Sequence, residues 1–178
     1  MATKEMVEVR WHGRGGQGAK TAALLFADAA LATGKYIQAF PEYGPERMGA
    51  PVQSFNRISD KAISIHCGIT EPNYVVVLDP TLMDCVSVAE GLSDGGKVIV
   101  NTSFPAVEIA KRLNLSANQV FVVDASKIAQ ETIGLNIPNT PMLGALIKVI
   151  GTMNIEHVLG RGQQYISWSF KPPLWETP

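Results

Sequence analysis

Cysteine and charge are both scarce in this sequence. Its 178 residues include two cysteines, Cys67 and Cys85, which form no C-x-x-C pair and do not cluster with the three histidines. That excludes the sequence signatures of an iron–sulfur cluster, a structural zinc site or a disulfide framework. Charged residues make up 17% and nearly cancel, to a net charge of -1. Neither counterion release from nucleic acid nor attraction to anionic lipid would favour such a chain, so no nucleic-acid or membrane partner is expected. No run of about 18 apolar residues occurs, and "MATKEMVEVRWHG" has no apolar signal core. These absences point to a soluble, cytoplasmic protein. With 46% hydrophobic residues the composition is globular, and one domain over residues 1–178 is expected. The aromatic, proline-rich stretch after about residue 152 cannot be placed by pattern.

Apolar runs alternate with helical patterns. Strands are expected at Val7 to Trp11, "KYIQAF" (35–40), "NYVVVLD" (73–79), "GKVIVN" (96–101) and "QVFVVD" (119–124). "PVQSFNRIS" (51–59) and "KAISIHC" (61–67) alternate apolar with polar residues and read as an antiparallel hairpin. Helices are expected from Gly18 to a stop at Gly34, from Pro80 to Glu90, near Pro105 to Leu113, from Ser126 to about Ile133, and over "TPMLGALIKVIG" (140–151). Fully apolar strands alternating with helices define an α/β fold: a three-layer, mostly parallel, Rossmann-like sheet with an added antiparallel hairpin.

Between the first strand and the first helix lies "HGRGGQGAK". Gly13, Gly15 and Gly18 satisfy G-x-G-x-x-G, the spacing that lets a phosphate approach the free amides of a helix start. The acid that should end strand two for a ribose is not cleanly present, because Pro41 separates Glu42 from that strand. A Walker loop fits worse. Ala19 holds the lysine position, and Lys20 comes one residue late, about 100 degrees round the helix. With His12, Arg14 and Gln17 in the loop, the residues favour an anion or polar-partner site over a nicotinamide site. A tight turn with no ligand is the plain alternative.

The second feature is the loop "FPEYGPERMGAPV", whose two glycines and three prolines display Glu42, Tyr43, Glu46 and Arg47 at the carboxyl end of strand two, the rim where open α/β sheets bind ligands. Asp79 and Asp124 end apolar strands as Walker B carboxylates do, yet lack a Walker A lysine and are expected to cap the turns that follow. His66 and Cys67 at a strand end, and Cys85 within a helix, are expected to be packing residues.

"HGRGGQGAKTAA", "QAFPEYGPERMGAPV", "NRISD" and "NTPMLGAL" occur in register from Val7 to Gly151. In them the chain resembles the gamma subunits of the 2-oxoacid:ferredoxin oxidoreductases, most closely those of pyruvate synthase (pyruvate:ferredoxin oxidoreductase). The resemblance implies a subunit with no independent activity. Its complex would perform the coenzyme-A-dependent oxidative decarboxylation of a 2-oxoacid to acyl-CoA, carbon dioxide and reduced ferredoxin. It implies alpha, beta and delta partner chains that hold thiamine diphosphate, Mg2+ and [4Fe-4S] clusters, with ferredoxin as acceptor. This chain would hold no cofactor, no metal and no catalytic residue. Gly13, Arg14, Gly15, Gly16, Gln17 and Gly18 would face the coenzyme A phosphates. Tyr43, Glu46, Arg47, Gly49, Asn139 and Thr140 would form a ligand rim or subunit interface. Two other readings stay open: a stand-alone dinucleotide-binding oxidoreductase, and an interaction module without a ligand.

Overall fold

The computed structural model describes residues 6–42 and 48–151. Six strands form one sheet: β1 (Met6–Arg14), β2 (Tyr36–Pro41), β3 (Pro51–Ser59), β4 (Tyr74–Val77), β5 (Lys97–Asn101) and β6 (Val120–Val123). Their order is β2-β3-β1-β4-β5-β6. β1, β4, β5 and β6 run parallel, and β3 is antiparallel to both β1 and β2. Among the described residues four α-helices accompany them: α1 (Ala19–Leu31), α2 (Ala106–Leu113), α3 (Ala125–Ile133) and α4 (Asn139–Ile150). The expected mixed α/β sheet with an antiparallel addition is what forms.

Strand alternation sorts the core into two layers. Val9, Trp11, Val76 and Ile99 point to one face, where they meet α1 and α4 through Ala22, Phe26, Met142 and Leu146. Val75, Val77, Val98 and Val100 point to the other, against α2 and the 82–92 segment. The buried face of α1 is alanine-rich, and only Phe26 is large among its buried residues, which lets its backbone approach the sheet. Asn56, fully buried on β3, ties β3 to β1 and α1 within the first of these layers. Its Oδ1 accepts the Trp11 indole N–H (2.8 Å), and its amide donates to the Ala23 carbonyl (2.8 Å).

Several expectations are corrected. Residues 61–67 form no strand: β3 already pairs with β1 on one edge and β2 on the other, so no ladder edge is left for "KAISIHC". The antiparallel hairpin is made by β2 and β3 instead. His66 and Cys67 are exposed. The segment from Pro80 to Glu90 is a short 3-10 helix, Pro80–Asp84, followed by turns. The Val88 amide donates to the Val86 carbonyl (2.8 Å), out of helical register, and the Val88 and Glu90 carbonyls accept from the Arg10 guanidinium, which holds this turn against β1. Cys85 is exposed and lies past that short helix. Finally, β1 runs on past Trp11 to Arg14, because its partner β3 pairs with it as far as Arg14 opposite Pro51.

Candidate functional site

β1 ends in the glycine loop and α1 follows at once, so the loop stands at the carboxyl edge of the sheet. Gly13 is still in the ladder, opposite Val52. A Cβ there would press on Ala19 and Leu78, each at 3.2 Å, so this glycine lets α1 pack close. Gly16 (φ +99°) and Gly18 (φ +79°) hold the left-handed conformations that turn the chain into α1. The Gly15 amide donates to the Ala50 carbonyl (2.9 Å), and the Gly49 amide returns a bond to the Gly15 carbonyl (3.2 Å). The 48–50 turn is thereby stitched onto the loop. Asn139, at the start of α4, lies against Gly18, where a Cβ would stand 2.5 Å from its Nδ2. Its Oδ1 accepts from the Thr140 amide (2.8 Å) and hydroxyl (3.2 Å).

Of the rim residues expected from the sequence, Gly49 and Asn139 thus reach the glycine loop, with Thr140 beside them. Tyr43, Glu46 and Arg47 lie outside the described residues. Glu42 is described and exposed, just past β2.

Arg14 is held in place rather than swinging free. Its Nε faces Asp79 Oδ2 (3.2 Å), Nη1 donates to the Gly49 carbonyl (3.0 Å) and Nη2 to Thr81 Oγ1 (2.8 Å). Gln17 closes the loop: its Oε1 accepts from the Arg14 amide (2.8 Å) and its Nε2 donates to Asp79 Oδ2 (2.7 Å). Asp79 also caps the 3-10 turn, accepting from the Thr81 amide (2.9 Å), as Asp124 caps α3 by accepting from the Lys127 amide (3.1 Å). Burial alone would raise the Asp79 pKa. Hydrogen bonds from Thr81 and Gln17, with the charge of Arg14, outweigh it and hold the carboxylate below its ordinary range.

These elements wall a cleft of about 850 Å³ lined by Arg14, Gly16, Gly18, Lys20, Glu42 and Gln53, among others. Among the described residues, no acceptor meets the amides of Gly16, Gly18 and Ala19, and α1 has no side-chain cap and no acid in its first turn. Free amides and an uncompensated helix dipole suit an anion. Sequence reasoning missed Lys20 as a lining residue because it was weighed only against the Walker position. Its place in the first helical turn was the available signal. It also missed the Arg14–Gln17–Asp79 link, which joins residues more than sixty apart and left no local trace.

His12 lines the same cleft but is 2% exposed, and its Nε2 accepts from Arg10 Nε (3.1 Å). Burial, then the Arg10 charge, lower its pKa from 6.5 to about 4. Its imidazole is neutral at neutral pH, and its Nε2 lone pair is already engaged by Arg10. The unfolded chain protonates His12 below about pH 6.5 and the native chain only near 4, so the unfolded state binds more protons between those values. Stability should fall by up to about 3 kcal/mol as pH drops through that window. Urea midpoints at pH 7 and 4.5 check this. A His12→Gln variant with the same slope as the natural chain would contradict it.

The fold and the cleft define an α/β chain with a glycine loop and a helix start exposed at the carboxyl edge of its sheet. Among its described residues no three His, Cys, Asp or Glu side chains are grouped to hold a metal, and no helix is long and apolar enough to cross a membrane. The protein-family model for pyruvate ferredoxin/flavodoxin oxidoreductase matches residues 8–162. The chain is 50% identical over 171 residues to the pyruvate/ketoisovalerate oxidoreductases common subunit gamma of Thermococcus kodakarensis, covering 96% of this chain and 90% of that one. It is 46% identical to the pyruvate synthase subunit PorC of Thermotoga maritima, covering 94% and 86% of the two chains. The crystal structure of the Thermotoga pyruvate oxidoreductase subunit PORC superposes with a TM-score of 0.81 at 46% identity, over 92% of this chain and 86% of that one. At 17% identity the fold alone is shared with a 2-oxoglutarate:ferredoxin oxidoreductase from Magnetococcus marinus, with a TM-score of 0.71 over 93% of this chain and 28% of that one. The chain belongs to the pyruvate ferredoxin/flavodoxin oxidoreductase family, as a gamma-type subunit.

Proposed function

We propose that this chain is the coenzyme-A-facing gamma subunit of a cytoplasmic pyruvate synthase, assembled with alpha, beta and delta chains and passing electrons to ferredoxin. The observation that carries the reading is the cleft at the start of α1. Free amides at Gly16, Gly18 and Ala19, with Lys20 one residue on, match the spread negative charge of a pyrophosphate. Gly13, Arg14, Gly15, Gly16, Gln17 and Gly18 form the phosphate cradle, in which Gly13 brings α1 close and Arg14 and Gln17 hold the loop's shape. Tyr43, Glu46, Arg47, Gly49, Asn139 and Thr140 form the rim that meets the ligand or the catalytic chains. Thiamine diphosphate, Mg2+ and [4Fe-4S] clusters belong to those chains. Thiamine diphosphate there supplies the carbanion-stabilising chemistry of decarboxylation, and no step of it is assigned to residues of this chain.

A dinucleotide enzyme is disfavoured by the inserted β3. It takes the place beside β1 that β2 holds in a dinucleotide fold, so Glu42, though it lines the same cleft, follows a strand two spacings, about 9.5 Å, from β1 rather than the adjacent one. The test is Gly16→Ala in the complex purified from its native cells, followed by 2-oxoacid- and coenzyme-A-dependent viologen reduction. A methyl group there meets only Met48 Sδ, at 3.4 Å. It would strain the loop at φ +99° and enter the mouth of the cleft. KM for coenzyme A should rise by about tenfold or more, a loss of roughly 1.4 kcal/mol, while KM for the 2-oxoacid stays within about twofold. An unchanged KM for coenzyme A would sink the proposal.

A further inference from the structure

We infer that Asp79, at the carboxyl end of β4, is a positioning residue for coenzyme A, acting through Gln17 on the glycine loop. The inference rests on the coenzyme A reading of the cleft and adds a residue that no local motif marks.

The two oxygens of Asp79 have separate partners. Oδ1 accepts from the Thr81 amide (2.9 Å) and hydroxyl (2.6 Å), which is the cap of the 3-10 turn. Oδ2 takes no part in that cap. It accepts from Gln17 Nε2 (2.7 Å) and faces Arg14 Nε (3.2 Å). Gln17 carries the restraint into the loop, because its Oε1 accepts from the Arg14 amide (2.8 Å) while its own amide donates to the Arg14 carbonyl (3.0 Å). The result is a closed ring from Asp79 through Gln17 to Arg14 and back. The loop that bears the free amides of Gly16, Gly18 and Ala19 is fixed to the sheet at one carboxylate oxygen.

Capping needs one acceptor, so the cap accounts for Oδ1 only. Oδ2 has a consequence for binding. A cradle of backbone amides attracts an anion strongly only when the amides are already aimed at it, since ordering a loop on binding subtracts from affinity. The side chain of Asp79 is 14% exposed and that of Arg14 29%, so the link is partly shielded from water and stronger than a fully exposed pair. Asp79 also spends the charge of Arg14 inside the loop, which leaves recognition of the anion to fixed amides and Lys20.

Asp79→Asn separates the two duties. Its carbonyl oxygen can keep the Thr81 bonds, and its amide then faces the Gln17 and Arg14 donors, so the cap survives while the loop link breaks. In the assembled complex, KM for coenzyme A should rise about tenfold, with kcat and KM for the 2-oxoacid within about twofold and a thermal midpoint shifted by only a few degrees. Gln17→Ala should give the same rise, and carries the test by itself should Asp79→Asn fail to assemble. The double variant should be no worse than the poorer single, because both act through one link.

The outcomes separate the two ideas. A rise with Gly16→Ala but none with Asp79→Asn or Gln17→Ala overturns this inference and leaves the coenzyme A reading standing. No rise with any of the three overturns that reading, and this one with it. Multiplicative losses in the double variant, near a hundredfold, overturn the route through Gln17. A loss confined to kcat overturns the positioning role.

Discussion

Arg57→Leu should destabilise the chain by about 3–5 kcal/mol, the range for removing one partner of a buried ion pair. The Arg57 side chain is 2% exposed on β3, directly across the ladder from Glu8 on β1, and its Nε donates to Glu8 Oε1 (2.9 Å). Nη2 donates to the Gly68 carbonyl (3.2 Å), Nη1 reaches Gln38 Oε1 on β2 (3.4 Å), and the guanidinium lies 5.5 Å from the centroid of the Phe40 ring. One side chain thus joins three adjacent strands and the 67–70 loop. Leucine would leave the Glu8 carboxylate, 13% exposed, without its counter-charge. Glu8→Gln together with Arg57→Leu should recover about half of the loss, because the cost lies mainly in the orphaned charge. Urea denaturation of the four proteins checks this. Additive losses would mean that packing, rather than the ion pair, holds the strands.

Gly91→Ala should cost at least about 3 kcal/mol and lower the thermal midpoint by roughly 10 °C. Gly91 has φ +70°, and a Cβ there would stand 2.0 Å from the Thr70 carbonyl oxygen. That atom is backbone and cannot rotate away. The neighbouring contacts tie both segments down. The Glu90 carbonyl accepts from Arg10 Nη2, and the Ser93 amide donates to the Pro72 carbonyl (3.0 Å). Moving Gly91 would therefore loosen Arg10, and with it the hydrogen bond from Arg10 Nε to the buried His12. Gly95 supplies the matched control, since its φ is +73° but nothing lies within 4 Å of its Cβ position. Gly95→Ala should cost only about 1 kcal/mol, the conformational term alone. Equal losses at the two positions would show that the clash with Thr70 is relieved at little cost.

How much could be read from sequence differs from element to element. The parallel strands β4 and β5 were legible because they are buried on both faces and appear as unbroken apolar runs, Tyr74–Val77 the plainest, and the half-buried edge strand β6 keeps the same apolar run. α4 was legible from Gly151 at its end and a sustained apolar pattern. The hairpin was legible in kind but misplaced. Residues 61–67 alternate as a strand should, yet alternation says nothing of which edge is available, and β3 gave both of its edges to β1 and β2. The segment from Pro80 to Glu90 was expected to be one helix. It leaves helical register where the Val88 amide turns to the Val86 carbonyl and where Arg10, nearly eighty residues earlier, takes the Val88 and Glu90 carbonyls.

The glycine loop was visible because glycine density is a local property, and so was the cap at Asp79, because a cap sits next to what it caps. From the order of residues alone came the α/β class, the strand–loop–helix position of Gly13 to Gly18, and the family resemblance. Only the tertiary structure decided that β3 enters between β1 and β2, that His12 is sealed beneath Arg10, and that Asp79 grips the loop through Gln17. The physical reason is the range of the interactions. Propensity, capping and apolar periodicity act within a few residues and are written in neighbouring letters. Strand pairing, desolvation and side-chain hydrogen bonds across the sheet arise only once distant segments share the same few ångströms.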